Sequence, residues 1–70
     1  MNTNEDTKKK IQDCLEEFNH YAQKLNLLWE RADYETQNSL AEDYPFDSSF
    51  DEVADKILGW VQTQREINKP

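Results

Sequence analysis

The sequence predicts an all-α fold, a small helical bundle or helical hairpin, and three observations carry that prediction. From about Glu5 to Tyr34 no proline or glycine interrupts a run of apolar residues spaced by three and four. A second run of the same period follows Ser49. Between the two, Pro45 marks a boundary, because the residue before a proline is pushed away from the α region. Seventy residues hold one core, so residues 1–70 are read as a single helical domain.

The first element is a long helix over about residues 7–34, with residues 1–6 expected to fray. Positions 11, 14, 18, 21, 25, 28 and 32 carry Ile, Cys, Phe, Tyr, Leu, Leu and Ala, and a second row at 15, 18, 22, 25, 29 and 32 runs beside it. Together they form a stripe wider than a two-stranded seam requires, which suits a bundle. The row 14, 18, 21, 25 is expected to point inward, burying Cys14 as a small hydrophobe. Thr7 or Asn4 is the expected cap, and Glu5 and Asp6 favour the positive end of the helix dipole. Such a helix is roughly 40 Å long at 1.5 Å per residue, more than the other elements can cover, and this is the main reason to expect a homodimer.

Residues 35–48 form an ordered connector that contains either a short helix or a loop pinned by aromatic side chains, with a break at Asn38-Ser39. Tyr44-Pro45-Phe46 is expected to be extended, its rings turned inward. The last helix covers about residues 49–66, with Ser49 and Glu52 matching the capping box. Its apolar positions are Phe50, Val53, Ala54, Ile57, Leu58 and Val61, with Trp60 on the margin. Phe18, Phe46 and Phe50 are assigned to the core. Gly59 interrupts the helix, and close approach of a neighbouring helix is the expected reason.

Composition and charge narrow the function. Fifteen acidic residues face eight basic ones, a formal charge of −7. Residues 30–55 hold nine acids and only Arg31, −8, against −1 for residues 1–29 and +2 for residues 56–70. That field repels phosphate backbones, so no direct nucleic-acid binding is expected, while a basic protein would be attracted. No apolar run is long enough to span a membrane, and no secretory signal opens the chain, so the expected location is cytoplasmic.

No catalytic or metal chemistry is assigned, and no cofactor. Glu17 and His20 have the spacing of a helical carboxylate and imidazole pair, but they fall on the flank opposite the apolar row, where no second ligand set converges. An EF-hand loop starting at Asp47 lacks glycine at its sixth position, where Glu52 stands, and glutamate at its twelfth, where Leu58 stands. A single histidine and a single glycine leave no serine triad and no phosphate-binding loop.

The expected function is therefore a small acidic protein-interaction module, an adaptor or regulatory subunit that self-associates. Trp29 and Trp60, at the margins of their stripes, are the expected interface anchors, because tryptophan and tyrosine dominate interface energetics. Tyr34 and Tyr44 bracket the acidic connector, where Glu42, Asp43 and Asp47 would form a polar rim. The alternative is an inhibitor or antitoxin-like protein that neutralises a basic nuclease or nucleic-acid-binding protein through that acidic segment.

Tyr44-Pro45, Asp47-Ser48-Ser49, Val53, Ile57, Trp60 and Asn68-Lys69-Pro70 resemble a stretch of the bacteriocin-nuclease immunity proteins, small acidic helical bundles that neutralise a basic toxin domain. The resemblance covers about 27 residues and leaves residues 1–43 unmatched. The second tyrosine before the proline motif is replaced by Asp43, and the loop before the last helix is shorter. The chain is not assigned to that family. What the resemblance implies is an acidic face around Tyr44 that engages a basic protein.

Overall fold

A computed structural model describes residues 3–69. Helix α1 spans Thr3–Arg31, α2 spans Tyr34–Ala41 and α3 spans Phe50–Ile67. Helix α1 is continuous over 29 residues. It starts earlier than expected, with residues 3–6 helical where fraying was expected and Thr7 inside the helix; the same expectation for residues 1 and 2 lies outside the described residues. It also ends earlier, at Arg31. There the chain turns at Ala32-Asp33, and Asp33 caps α2 by accepting a 2.9 Å hydrogen bond from the Thr36 amide. That bond holds the Asp33 carboxyl below its ordinary pKa. Gln37 then reaches back and donates to the carbonyl oxygen of Trp29, which also accepts from the Ala32 amide, and to that of Ala32 at the helix end. The break therefore lies at Ala32-Asp33, and Asn38-Ser39 sits inside α2.

Helices α1 and α3 pack side by side as a hairpin, and α2 with the following loop closes one end. The radius of gyration is 15.4 Å, against about 11 Å expected for a globular chain of this length. The molecule measures 52 × 20 × 18 Å, so little of it lies far from solvent. The buried hydrophobic residues are Ala22, Ala54, Ile57 and Val61, with Leu15, Phe50 and Val53 packed around them.

This core corrects the expected orientation of α1. The row facing α3 is Leu15, Asn19, Ala22, Asn26 and Trp29, while the row at 11, 14, 18, 21, 25 and 28 faces outward, Cys14 included. Both rows satisfy helical spacing, and Asn19 and Asn26 disguise the inner one. Asn19 is buried and accepts from Gln23 at 3.0 Å, and the same Gln23 amide donates to the Ala54 carbonyl at 2.7 Å. Asn26 donates to Asp51 at 3.4 Å. Polar residues are tolerated in this seam because their hydrogen bonds are met. Phe18 and Phe46, assigned to the core from the sequence, are both about half exposed.

The open end of the hairpin is held by a polar clamp. Arg65 pairs with Glu16 through two of its guanidinium nitrogens, Nε and Nη2, the Nε contact at 2.6 Å. Gln12 donates to Glu16 at 2.8 Å and accepts from Asn68 at 2.9 Å. The hydrogen bonds from Arg65, and then from Gln12, lower the Glu16 carboxyl from 4.5 to about 2. A carboxylate with a depressed folded-state pKa stabilises the fold above its ordinary pKa, and the contribution fades as pH falls through the lowered value. The thermal midpoint of the wild type is thus expected to fall more steeply between pH 4.5 and about 2 than that of Glu16→Gln. Circular-dichroism melts of the two proteins test this, and parallel pH profiles would contradict it.

Helix α3 begins where expected, with Ser49 as the N-cap residue, but its hydroxyl makes no capping hydrogen bond, so the capping box is not formed. Asp51 and Glu52 in the first turn and Arg65 in the last still match the helix dipole. Gly59 is a second correction. A Cβ at that position would meet nothing within 4 Å, and its φ is not positive. No neighbouring helix requires a glycine there. Gly59→Ala is expected to raise stability by about 0.5–1 kcal/mol, the ordinary difference inside a helix, read as a higher urea midpoint.

Candidate protein-interaction surface

The two sides of the hairpin differ in chemistry. One side carries the hydrogen-bonded polar groups Gln12, Glu16, Gln23 and Asn26 with their α3 partners. The other side is apolar. Ile11, Phe18, Tyr21, Leu25 and Leu28 of α1 and Trp60 of α3 are between 41% and 63% exposed. Ile11, Cys14, Leu15, Phe18 and Trp60 together line an open groove of about 400 Å³ whose walls are almost wholly apolar. A second hollow continues the surface from Trp60 along Val53 to Phe46.

The α1 part of this face has a strict seven-residue period. Ile11, Phe18 and Leu25 recur at one position and Cys14, Tyr21 and Leu28 at another. Such a row marks a helix–helix seam. On α3, Val53 and Trp60 are likewise seven residues apart and line one hollow. Helix α1 therefore has two adjacent seams roughly 100° apart, one closed on α3 and one open. That is the geometry of a helix with two neighbours in a four-helix arrangement. Single-copy proteins rarely leave a contiguous apolar patch above roughly 300–600 Å². Six large side chains at about half exposure reach on the order of 500 Å², within the upper part of that range.

The aromatic residues at the closed end are more internal. Trp29, expected as an open anchor, instead stacks on Phe50 with centroids 5.5 Å apart and meets Tyr44 edge-on at 5.7 Å. Tyr44 donates its hydroxyl to the Ser48 carbonyl at 2.7 Å and touches Phe46 edge-on. Burial, then the charge of Glu52, pushes the Tyr44 phenol above its ordinary pKa. This cluster fastens the connector to the hairpin. Tyr34 is apart from it and 80% exposed.

Glu42, Asp43 and Asp47 are exposed on the loop leaving α2. Asp43 has φ 55°, in the left-handed region, and turns the chain toward Tyr44. Of the expected interface residues, Trp60 lies on the apolar face, Trp29 and Tyr44 lie in the aromatic cluster, and Tyr34 and the three acids lie on the connector. Ile11, Phe18, Tyr21, Leu25 and Leu28 are absent from the site expected on sequence grounds, although their seven-residue repeat is the signal that identifies them.

Glu17 and His20 are both exposed, on the outer flank of α1. Among the described residues, no group of three or more histidine, cysteine, aspartate or glutamate side chains converges as a metal site would need. Among the same residues, no helix is long and apolar enough to cross a membrane. No protein-family model, curated protein sequence or solved structure matches the chain.

Proposed function

We propose that this chain is a small acidic protein-interaction module, an adaptor or regulatory subunit, that works by binding through the apolar face of α1 and α3 and self-associates there. The observation that carries the reading is the imbalance of burial. A single copy covers Ala22, Ala54, Ile57 and Val61 while leaving Phe18, Leu25, Leu28 and Trp60 about half exposed. Water contact on that scale is unfavourable by roughly 25 cal/mol per Å², so a partner that covers the face gains that term. The role is one of binding rather than catalysis.

Sedimentation equilibrium over a wide concentration range tests the reading. The expected result is a concentration-dependent dimer whose thermal midpoint rises with protein concentration. A strict monomer that unfolds cooperatively at every concentration would count decisively against it.

A second reading rests on the acidic segment. Its nine carboxylates, from Glu30 to Asp55, are all exposed, and among the described residues none of them joins an ion pair. An inhibitor of a basic nuclease or nucleic-acid-binding protein would use such charges for steering. Its binding would be faster at low salt and slowed by neutralising Glu42, Asp43 and Asp47.

A further inference from the structure

We infer that the occupant of the apolar face is a second copy of this chain, bound antiparallel across a two-fold axis that passes between Phe18 and Tyr21 of α1 and at the level of Trp60 of α3, completing a four-helix bundle. The inference rests on the self-association proposed above and adds to it an orientation and a register.

The α1 stripe is complementary to itself in reverse. Turned end for end about its midpoint, Ile11 meets Leu28 of the second copy, Cys14 meets Leu25, and Phe18 meets Tyr21, so the six positions pair without remainder. On α3 the exposed Trp60 lines the same groove, and it is the centre about which that helix meets its copy, Trp60 against Trp60. These two centres need not have coincided, and the hairpin aligns them. Glu16 is tied to Arg65 and Gln23 to Ala54, so the point midway between Glu16 and Gln23 lies level with Trp60. One axis serves both helices.

Charge selects the same orientation. The closed end of the hairpin carries the acid-rich residues 30–55, net −8. The open end carries Lys8, Lys9, Lys10, Arg65 and Lys69 against Glu5, Asp6, Asp13, Glu16 and Glu66, and is neutral in sum. Parallel pairing would set two −8 segments side by side. Antiparallel pairing in this register sets the two Glu30 positions twenty-one residues out of step, roughly 31 Å and several times the Debye length of about 8 Å, and lays each level with Lys8, Lys9 and Lys10 of the second copy. On the rim, Glu17 faces Lys24 of the second copy twice. The outer approach of Lys10 to Arg31 is like-charged, and Lys10 is already held by Asp6 at 3.3 Å. Each copy would cover on the order of 500 Å² of apolar surface, which with its polar rim approaches the roughly 800 Å² per partner of a stable dimer.

Cys14 reports the orientation. In the antiparallel register, the two Cys14 positions are eleven residues out of step, about 16 Å, beyond the roughly 7 Å between Cα atoms that a disulfide spans. In a parallel dimer they would face each other. Wild type and Leu25→Cys are oxidised with copper phenanthroline, resolved on non-reducing gels, and their linkages mapped by peptide mass spectrometry. The expected result is that wild type stays uncrosslinked while Leu25→Cys gives a covalent dimer in which Cys14 is joined to the thiol introduced at position 25. That bond can only be intermolecular, since the same 16 Å or so separates the two positions within one helix.

A Cys14–Cys14 dimer of the wild type would overturn the orientation and leave self-association standing. A monomeric wild type in sedimentation would overturn both. If Leu25→Cys fails to fold, Cys14→Ser/Lys9→Cys carries nitroxides on the outer face of α1, and pulsed dipolar spectroscopy is expected to read about 30 Å or more between copies. A separation under about 20 Å would overturn the antiparallel arrangement.

Discussion

Glutamate at both Phe18 and Leu25 is expected to raise the dissociation constant of the dimer by roughly 1,000-fold. Covering the exposed half of a Phe or Leu side chain contributes about 1 kcal/mol, half of the value for complete burial. Four such side chains per dimer give about 4 kcal/mol, and 1.4 kcal/mol corresponds to a factor of ten. Neither residue belongs to the buried cluster of Ala22, Ile57 and Val61, and glutamate is a good helix former. The helix itself is therefore not the target of the change. Sedimentation equilibrium of the double variant should show a monomer at concentrations where the wild type is dimeric. Unchanged association would mean that this face is not where the chain binds.

Ile57→Ala is expected to destabilise the hairpin by about 2–5 kcal/mol, the usual range for a buried isoleucine. The side chain is 8% exposed and touches the few residues that form the core. A domain of this size has a total stability of only about 4–10 kcal/mol. One substitution thus removes a large share of it, and the thermal midpoint should fall by more than about 10 °C. Circular dichroism at 222 nm follows the transition, and a drop of less than a few degrees would show that Ile57 is not central to the packing. Gly59→Ala, two residues away, should act in the opposite direction. There the same helix gains stability, because the substituted position faces open space.

Much of the fold was legible in the chain. The uninterrupted three-and-four spacing from Glu5 onward requires a long helix, and Pro45 with Ser49 places the start of the last one. Helix α2 was harder to see because it is short and buries no residue. Its start depends on the Asp33 side chain reaching the Thr36 amide. The seven-residue repeat of Ile11, Phe18 and Leu25 was also present, but it fits burial in the chain's own core as well as burial against another chain.

What the sequence determined by itself is the existence of an amphipathic rod longer than its cover, together with a negative charge concentrated in residues 30–55. Local spacing and formal charge are enough for both. What only the tertiary structure decided is which row of α1 turns toward α3. Helical periodicity defines a wide stripe and cannot divide it. The division depends on long-range hydrogen bonds from Gln23 to Ala54 and from Asn26 to Asp51, which let a row containing two asparagines close on α3. The more hydrophobic row, from Ile11 to Leu28, is thereby left in solvent.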